Sequence, residues 1–227
     1  MERMMHRIQV FDNRYPLVGP VFWIATVHYF VVQIITAAYW LTPFSYKHNV
    51  ISDLGNTMCG EYAGRFVCSP LYTWMNASFI LLGFLMIAGS TLIHEGFRRN
   101  AGSAIAFTCM AMAGFGTILV GVFPENTIAS LHGLGALLAF LVGNIAIVLF
   151  GFVLGLHGWF KYYTILSGVI ALIALGLFYT GTYLGLGEGG MERIVAYPQT
   201  LWLIVFGVYL SRDRYRESTA KHTKKAA

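Results

Sequence analysis

Val18-Gly-Pro-Val-Phe-Trp-Ile-Ala-Thr-Val-His28-Tyr-Phe-Val-Val-Gln33-Ile-Ile-Thr-Ala-Ala-Tyr-Trp40-Leu-Thr42 decides the fold. The run contains no Asp, Glu, Lys or Arg. At about 1.5 Å per residue, a helix of roughly 20 such residues crosses the ~30 Å hydrocarbon core of a bilayer. A secretory signal would have an apolar stretch of only about 7–15 residues before a small-residue cleavage site. This run is longer and ends in Trp40-Leu-Thr-Pro43, so it reads as a retained spanning helix.

Five more apolar runs follow, at about 71–93, 102–123, 128–156, 162–186 and 192–210. Arg98-Arg99-Asn100, Phe123-Pro-Glu-Asn126, His157-Gly-Trp-Phe-Lys161 and Gly187-Glu-Gly-Gly190 separate four successive pairs of them. Spanning strands would be about 10 residues long with alternating polarity, and these runs do not alternate. The expected fold is therefore all-α: a polytopic membrane protein with six transmembrane helices in one bundle, over residues 18–211. An N-terminal segment (1–17), a loop (43–70) and a basic tail (212–227) complete the chain. No interrupted helix is read from the pattern.

Composition agrees. Of 227 residues, 57% are hydrophobic and 11% charged, with mean hydropathy +0.64; an ordinary soluble domain is about 25% charged. The net charge of +5 does not point to nucleic acid, because the cations punctuate apolar runs rather than cluster on one face. They sort by side. Arg3, Arg7, Arg14, Arg98, Arg99, Lys161, Arg212, Arg214, Arg216, Lys221, Lys224 and Lys225 share one side, leaving Lys47, Arg65 and Arg193 on the other. Cytoplasmic loops collect Lys and Arg, so the expectation is N-in/C-in in the cell membrane, with loop 43–70 outside. Cys59 and Cys68 fall in that loop, where a disulfide can persist; two free thiols are the alternative. Cys109 sits within an apolar run.

The costly ionisable groups gather near the outer helix ends: His48, Ser52, Asp53, Asn56, Glu125, His132, Glu192 and Arg193. A charge at membrane depth normally faces a cavity or a partner. Asp53 and His132 are the candidate catalytic acid/base pair. His48, Ser52, Asn56, Glu125, Glu192 and Arg193 are candidate ligand contacts. Each has a plainer reading beside it. Ser52-Asp53-Leu-Gly55-Asn56 also suits a turn or helix cap, His132 a structural hydrogen bond, and Glu192-Arg193 an ion pair closing the bundle. Lys47 and Arg193 are also placed to meet a lipid phosphate. No cofactor is called for; a divalent metal such as zinc would draw on Asp53, His132 and Glu192. Small residues at four-residue spacing, Gly135, Ala139, Gly143 and then Gly181, Gly185, read as helix packing inside the bundle, with a homodimer contact as the alternative.

Asn49-Val-Ile-Ser-Asp-Leu-Gly-Asn-Thr57, Cys59, Val67-Cys-Ser-Pro70, Trp74-Met-Asn-Ala-Ser-Phe79, Phe123-Pro-Glu125, His132-Gly-Leu-Gly-Ala136 and Glu192-Arg193 together resemble the DUF998 family of membrane proteins. More distantly, Ile51-Ser-Asp53 with His132-x-x-Gly-Ala136 is similar to the Frag1/DRAM/Sfk1 group, six-helix proteins tied to lipid remodelling. That second resemblance implies a lipid-linked role. Three functions are expected in order: binding of a lipid headgroup in a polar outer pocket, an intramembrane lipid hydrolase or transferase using Asp53 and His132, and a small-solute or ion transporter. The expected partners are membrane lipids.

Overall fold

Six helices in the computed structural model are long and apolar enough to cross a membrane: Val18–Ala38, Tyr72–His94, Ala101–Val122, Ala129–Val153, Gly158–Tyr179 and Gly187–Arg212. The structure describes residues 17–226 apart from Gly96, Arg98 and Arg99. The segment expected over 1–17 lies outside these residues except for Leu17, as do the side chains of the tail beyond Arg212.

Neighbours in sequence are neighbours in space. Helices α1 (Val18–Ala25) and α2 (His28–Ala38) form the first span. Then come α3 (Tyr72–Glu95), α4 (Ala101–Val122), α5 (Ala129–Leu137) with α6 (Gly143–Val153), α7 (Gly158–Tyr179) and α8 (Gly187–Ala226). α1 packs on α3, α3 on α4, α4 on α6, α6 on α7, α7 on α8, and α8 returns to α1. The bundle is thus a ring closed in chain order.

Three spans are interrupted, which corrects the reading of unbroken helices. At Thr26-Val27 the first span tightens to i→i−3 bonds: Thr26 N–H donates to Trp23 O (3.3 Å), Val27 N–H to Ile24 O (3.1 Å) and Tyr29 N–H to Thr26 O (3.1 Å). The Thr26 hydroxyl also donates to Trp23 O at 2.6 Å. A back-bonding threonine of this kind bends a helix. The fourth span carries a π-turn, Leu138–Val142. The sixth holds Pro198, whose missing N–H breaks the ladder one turn back. Asn144 bridges the fourth and sixth spans nearby, donating to Phe140 O (2.7 Å) and Val195 O (3.1 Å). Neighbouring helices commonly resupply donors at such breaks.

The ring is tight in one half and open in the other. Away from loop 43–70, Trp23, Phe107, Phe150, Trp202 and Phe206 stack or tilt together at the centre. Trp23 Nε1 donates to Met86 O (3.3 Å) and Trp202 Nε1 to Thr164 Oγ1 (2.9 Å), so both buried indoles are satisfied. In the half that carries the loop, α2 leans on α3 and α5 on α4; α2 reaches α8 through side chains, Tyr197 OH donating to Gln33 Oε1 at 2.9 Å with its ring edge-on to Phe30, while α5 touches α8 at most slightly. Of the nine residues of α5 only Gly135 is buried. Two seams therefore flank the start of α8.

The fifth span is displaced from its expected position over 162–186. It begins at Gly158 and ends at Tyr179 because Gly181 takes φ +70°, a left-handed stop. Gly181 and Gly185, read as packing glycines, lie in the following loop. Gly135 does pack within the bundle, against the Gly116 backbone, and Gly143 leaves room for the Gln199 side chain.

Candidate functional site

A cap closes the open half of the ring. It consists of one 3-10 turn, Ser52–Gly55, and a hairpin of β1 (Cys59–Tyr62) and β2 (Arg65–Cys68). The strands are antiparallel, with Cys59 opposite Cys68, and a disulfide joins those two residues. Ala63 and Gly64 turn the hairpin with positive φ, 48° and 77°. Ser69 Oγ donates to Leu54 O (2.7 Å) and Asn76 Nδ2 to Gly55 O (2.8 Å), fixing the turn to β2 and to α3.

Asp53 is fully buried. Arg65 meets both of its oxygens, Nε on Oδ2 and Nη2 on Oδ1, each at 2.8 Å. Asn49 Nδ2 and the Val50 N–H add two more donors at 3.1 Å. Arg65 Nη1 continues to Glu188 at 3.1 Å. Burial opposes the Arg65 charge, but the hydrogen bonds and the charge of Asp53 outweigh it and hold the guanidinium above its usual pKa. With its lone pairs so engaged, the Asp53 carboxylate is a structural anchor rather than the partner of His132.

His132 instead meets Ser52. Its Nε2 lies 3.1 Å from Ser52 Oγ, and its Nδ1 lies 2.9 Å from Phe123 O. The turn sends residues 52 and 53 in different directions, so the imidazole and the carboxylate have separate surroundings. His48 is exposed on the turn at 45–49 and stands apart from both.

Glu125 accepts from Asn56 Nδ2 at 2.8 Å, and Tyr62 OH donates to the Glu125 backbone carbonyl at 2.8 Å. Burial, and next the negative charge of Asp53, push the Glu125 carboxyl up to about 8. Burial likewise raises Tyr62. The neutral form of Glu125 is thereby favoured, which eases the placing of two carboxyl groups in the cap.

The expected Glu192–Arg193 ion pair does not form. Successive helical residues point about 100° apart, and here each faces a different seam. Glu192 accepts from the Ile51 N–H. Arg193 Nη1 donates to Gly189 O (2.7 Å), Asn49 O (2.8 Å) and Tyr46 O (3.1 Å), beneath the rings of Phe44 and Tyr46. Its Nε and Nη2 are buried with no hydrogen-bond partner among the described residues. Among the described residues both ion pairs belong to Arg65, a side chain that sequence reasoning counted only as a loop cation.

On the Glu192 flank of α8 lies a cavity of ≈ 490 Å³, counted out to its open side. Its polar lining is Ser52, Thr117, Glu192, Gln199 and Thr200; Phe79, Leu82, Val120, Ala136 and Phe140 form much of the apolar wall. Glu192, Ala196, Gln199 and Thr200 recur at helical spacing on one face of α8, a pattern visible in the sequence but masked by the apolar run around it. Among the described residues no group of three or more His, Cys, Asp or Glu side chains converges as a metal site.

The model of a family described as proteins of unknown function, DUF998, matches residues 23–209. No curated protein and no solved structure matches the chain. With most of the sequence covered and six spanning helices in place, the chain belongs to the DUF998 family of membrane proteins.

Proposed function

We propose that the protein binds a membrane lipid, its polar end in the cavity beneath the cap and its chains leaving through the seam between α5 and α8. In this reading both termini are cytoplasmic, the cap lies outside and the membrane is the cell membrane. The supporting observation is the cavity itself: hydrogen-bonding groups at spanning depth, an apolar wall, and beside them a helix that buries one residue of nine. A mostly apolar cavity with a few hydrogen-bonding groups suits an amphiphile better than a fully polar ligand. Ser52, Glu192, Gln199 and Thr200 would hold the polar end, with His132 behind Ser52. Arg193 and Lys47, named above for a phosphate, stand by the opposite flank of α8 and are not needed. The likeness of the Ile51-Ser-Asp53 and His132 motifs to the Frag1/DRAM/Sfk1 group points the same way.

The test is native mass spectrometry after gentle extraction and washing. About one lipid per chain is expected to survive, and Ala136→Leu, which fills the cavity wall, is expected to lower that occupancy. A wild-type chain that carries no lipid would reject the reading. A second reading, carriage of a small solute, draws on the interrupted spans, which transporters place at their binding sites. Solute uptake by reconstituted vesicles would favour it.

A further inference from the structure

We propose that Ser52 and His132 form an acyl-transfer dyad acting on an ester bond of the lipid held in the cavity. The proposal rests on the lipid-binding reading and adds chemistry to it. A nucleophile and a base within hydrogen-bond reach, with the base oriented by a third group, are the signature of covalent catalysis. Ser52 Oγ and His132 Nε2 are 3.1 Å apart, and the third group is the Phe123 carbonyl, 2.9 Å from Nδ1.

The carbonyl fixes the tautomer. A carbonyl oxygen only accepts, so Nδ1 carries the proton, and in the neutral ring Nε2 is left with its lone pair. The Ser52 hydroxyl then donates to Nε2, which is the arrangement that lets the ring remove that proton. Ser52 and His132 are both partly exposed, unlike the buried Asp53 beside them, and Ser52 lines the cavity. The nucleophile thus faces the space in which an ester would lie. Tyr29 and Gln199 belong to the same lining and bring a hydroxyl and an amide as donors for a developing oxyanion; Gln199 Nε2 is held only by a long contact to the Met86 sulfur, at 3.9 Å.

The step balances without a cofactor. Ser52 Oγ attacks the ester carbonyl carbon as its proton passes to His132 Nε2. The tetrahedral intermediate collapses, the bond from carbon to the alcohol oxygen breaks, and that oxygen leaves with the proton from Nε2. Water, or the hydroxyl of a second lipid, then attacks the acyl-Ser52 carbon and gives its proton to Nε2. The Ser52 oxygen leaves and takes that proton back, releasing a fatty acid or a new ester.

The full chain in mild detergent is treated with an alkyl fluorophosphonate, and the labelled peptide and the bound lipid are both read by mass spectrometry. Labelling at Ser52 is expected, lost in Ser52→Ala, and slowed about 100-fold or more in His132→Gln, the usual scale of general-base assistance. Wild-type protein that carries lipid but takes no label, or takes it elsewhere, overturns the dyad and leaves lipid binding standing. Unchanged labelling of His132→Gln overturns the role of the base. Protein that carries no lipid overturns both proposals. Peptide mapping of the wild type decides the point even if a variant fails to fold.

Discussion

Arg65 lays two nitrogens on the two oxygens of Asp53, 2.8 Å each, and its third reaches Glu188 at 3.1 Å. One side chain therefore ties together the hairpin, the 3-10 turn and the first turn of α8. The planar fork of arginine makes this contact as a point charge cannot.

Removing that fork strands a charge. Arg65→Met leaves the buried Asp53 without its cation, with Asn49, the Val50 amide and Glu125 beside it, and a broken buried pair costs about 3–5 kcal/mol. Arg65→Lys keeps the charge, loses the two-pronged contact and is expected to fall between. Thermal unfolding in detergent measures both. A melting temperature for Arg65→Met equal to that of wild type would refute the clamp.

The hairpin that presents Arg65 is closed by Cys59–Cys68, nine residues apart in sequence. A bridge around so short a loop contributes about 2–3 kcal/mol through the entropy of the unfolded chain. Cys59→Ser, or reduction of wild type, is expected to lower stability by that amount, with Arg65→Met adding less in the reduced protein than in the oxidised one. Free thiols at both positions in natively produced protein, read by non-reducing mass spectrometry, would contradict the bridge.

Stability should fall as pH rises from about 4.5 to about 8, through Glu125. Its carboxyl is pushed up to about 8 in the fold, by burial first and Asp53 second, from an ordinary value of 4.5. The folded chain thus binds the proton more tightly than the unfolded one. The contribution is complete below the unfolded value and is lost as pH climbs through the folded one. Glu125→Gln mimics the neutral acid and is expected to flatten this part of the profile. Parallel melting curves for the two proteins over pH 5–9 would rule the effect out.

Gly143 is fixed by its neighbour. A methyl group there would run into the Gln199 side chain, and overpacking of this kind costs about 1–3 kcal/mol. Gly143→Ala is expected to destabilise the chain and Gln199→Ala to relieve most of that loss. Additive losses in the double mutant would show that the two do not touch.

The six spans were legible because lipid permits few alternatives: every backbone group must be bonded within the segment. The ends were less so. Gly181 looks like a packing glycine by spacing, and only its left-handed φ of +70° reveals a helix stop. The interruptions were hidden because Thr26 and Asn144 act through one or two hydrogen bonds that leave hydropathy unchanged. At the cap, the right residues were gathered but the pairs were not. Asp53 and Ser52 are adjacent in sequence, and a 3-10 turn decided which of them meets His132. Arg65 was passed over because a loop cation between two cysteines carries no helical or strand periodicity. Its place opposite Tyr62 in the hairpin follows once the two cysteines are paired.

A ring closed in chain order also shapes how the protein is made. Each span, on leaving the ribosome, finds its packing partner already in the membrane, and no segment has to wait for a distant one until the end. The packing of α8 on α1 and α2 joins the two extremes of the chain. A nascent chain halted before residue 187 lacks the partner that closes the ring, and Trp23 lacks its contact with Trp202.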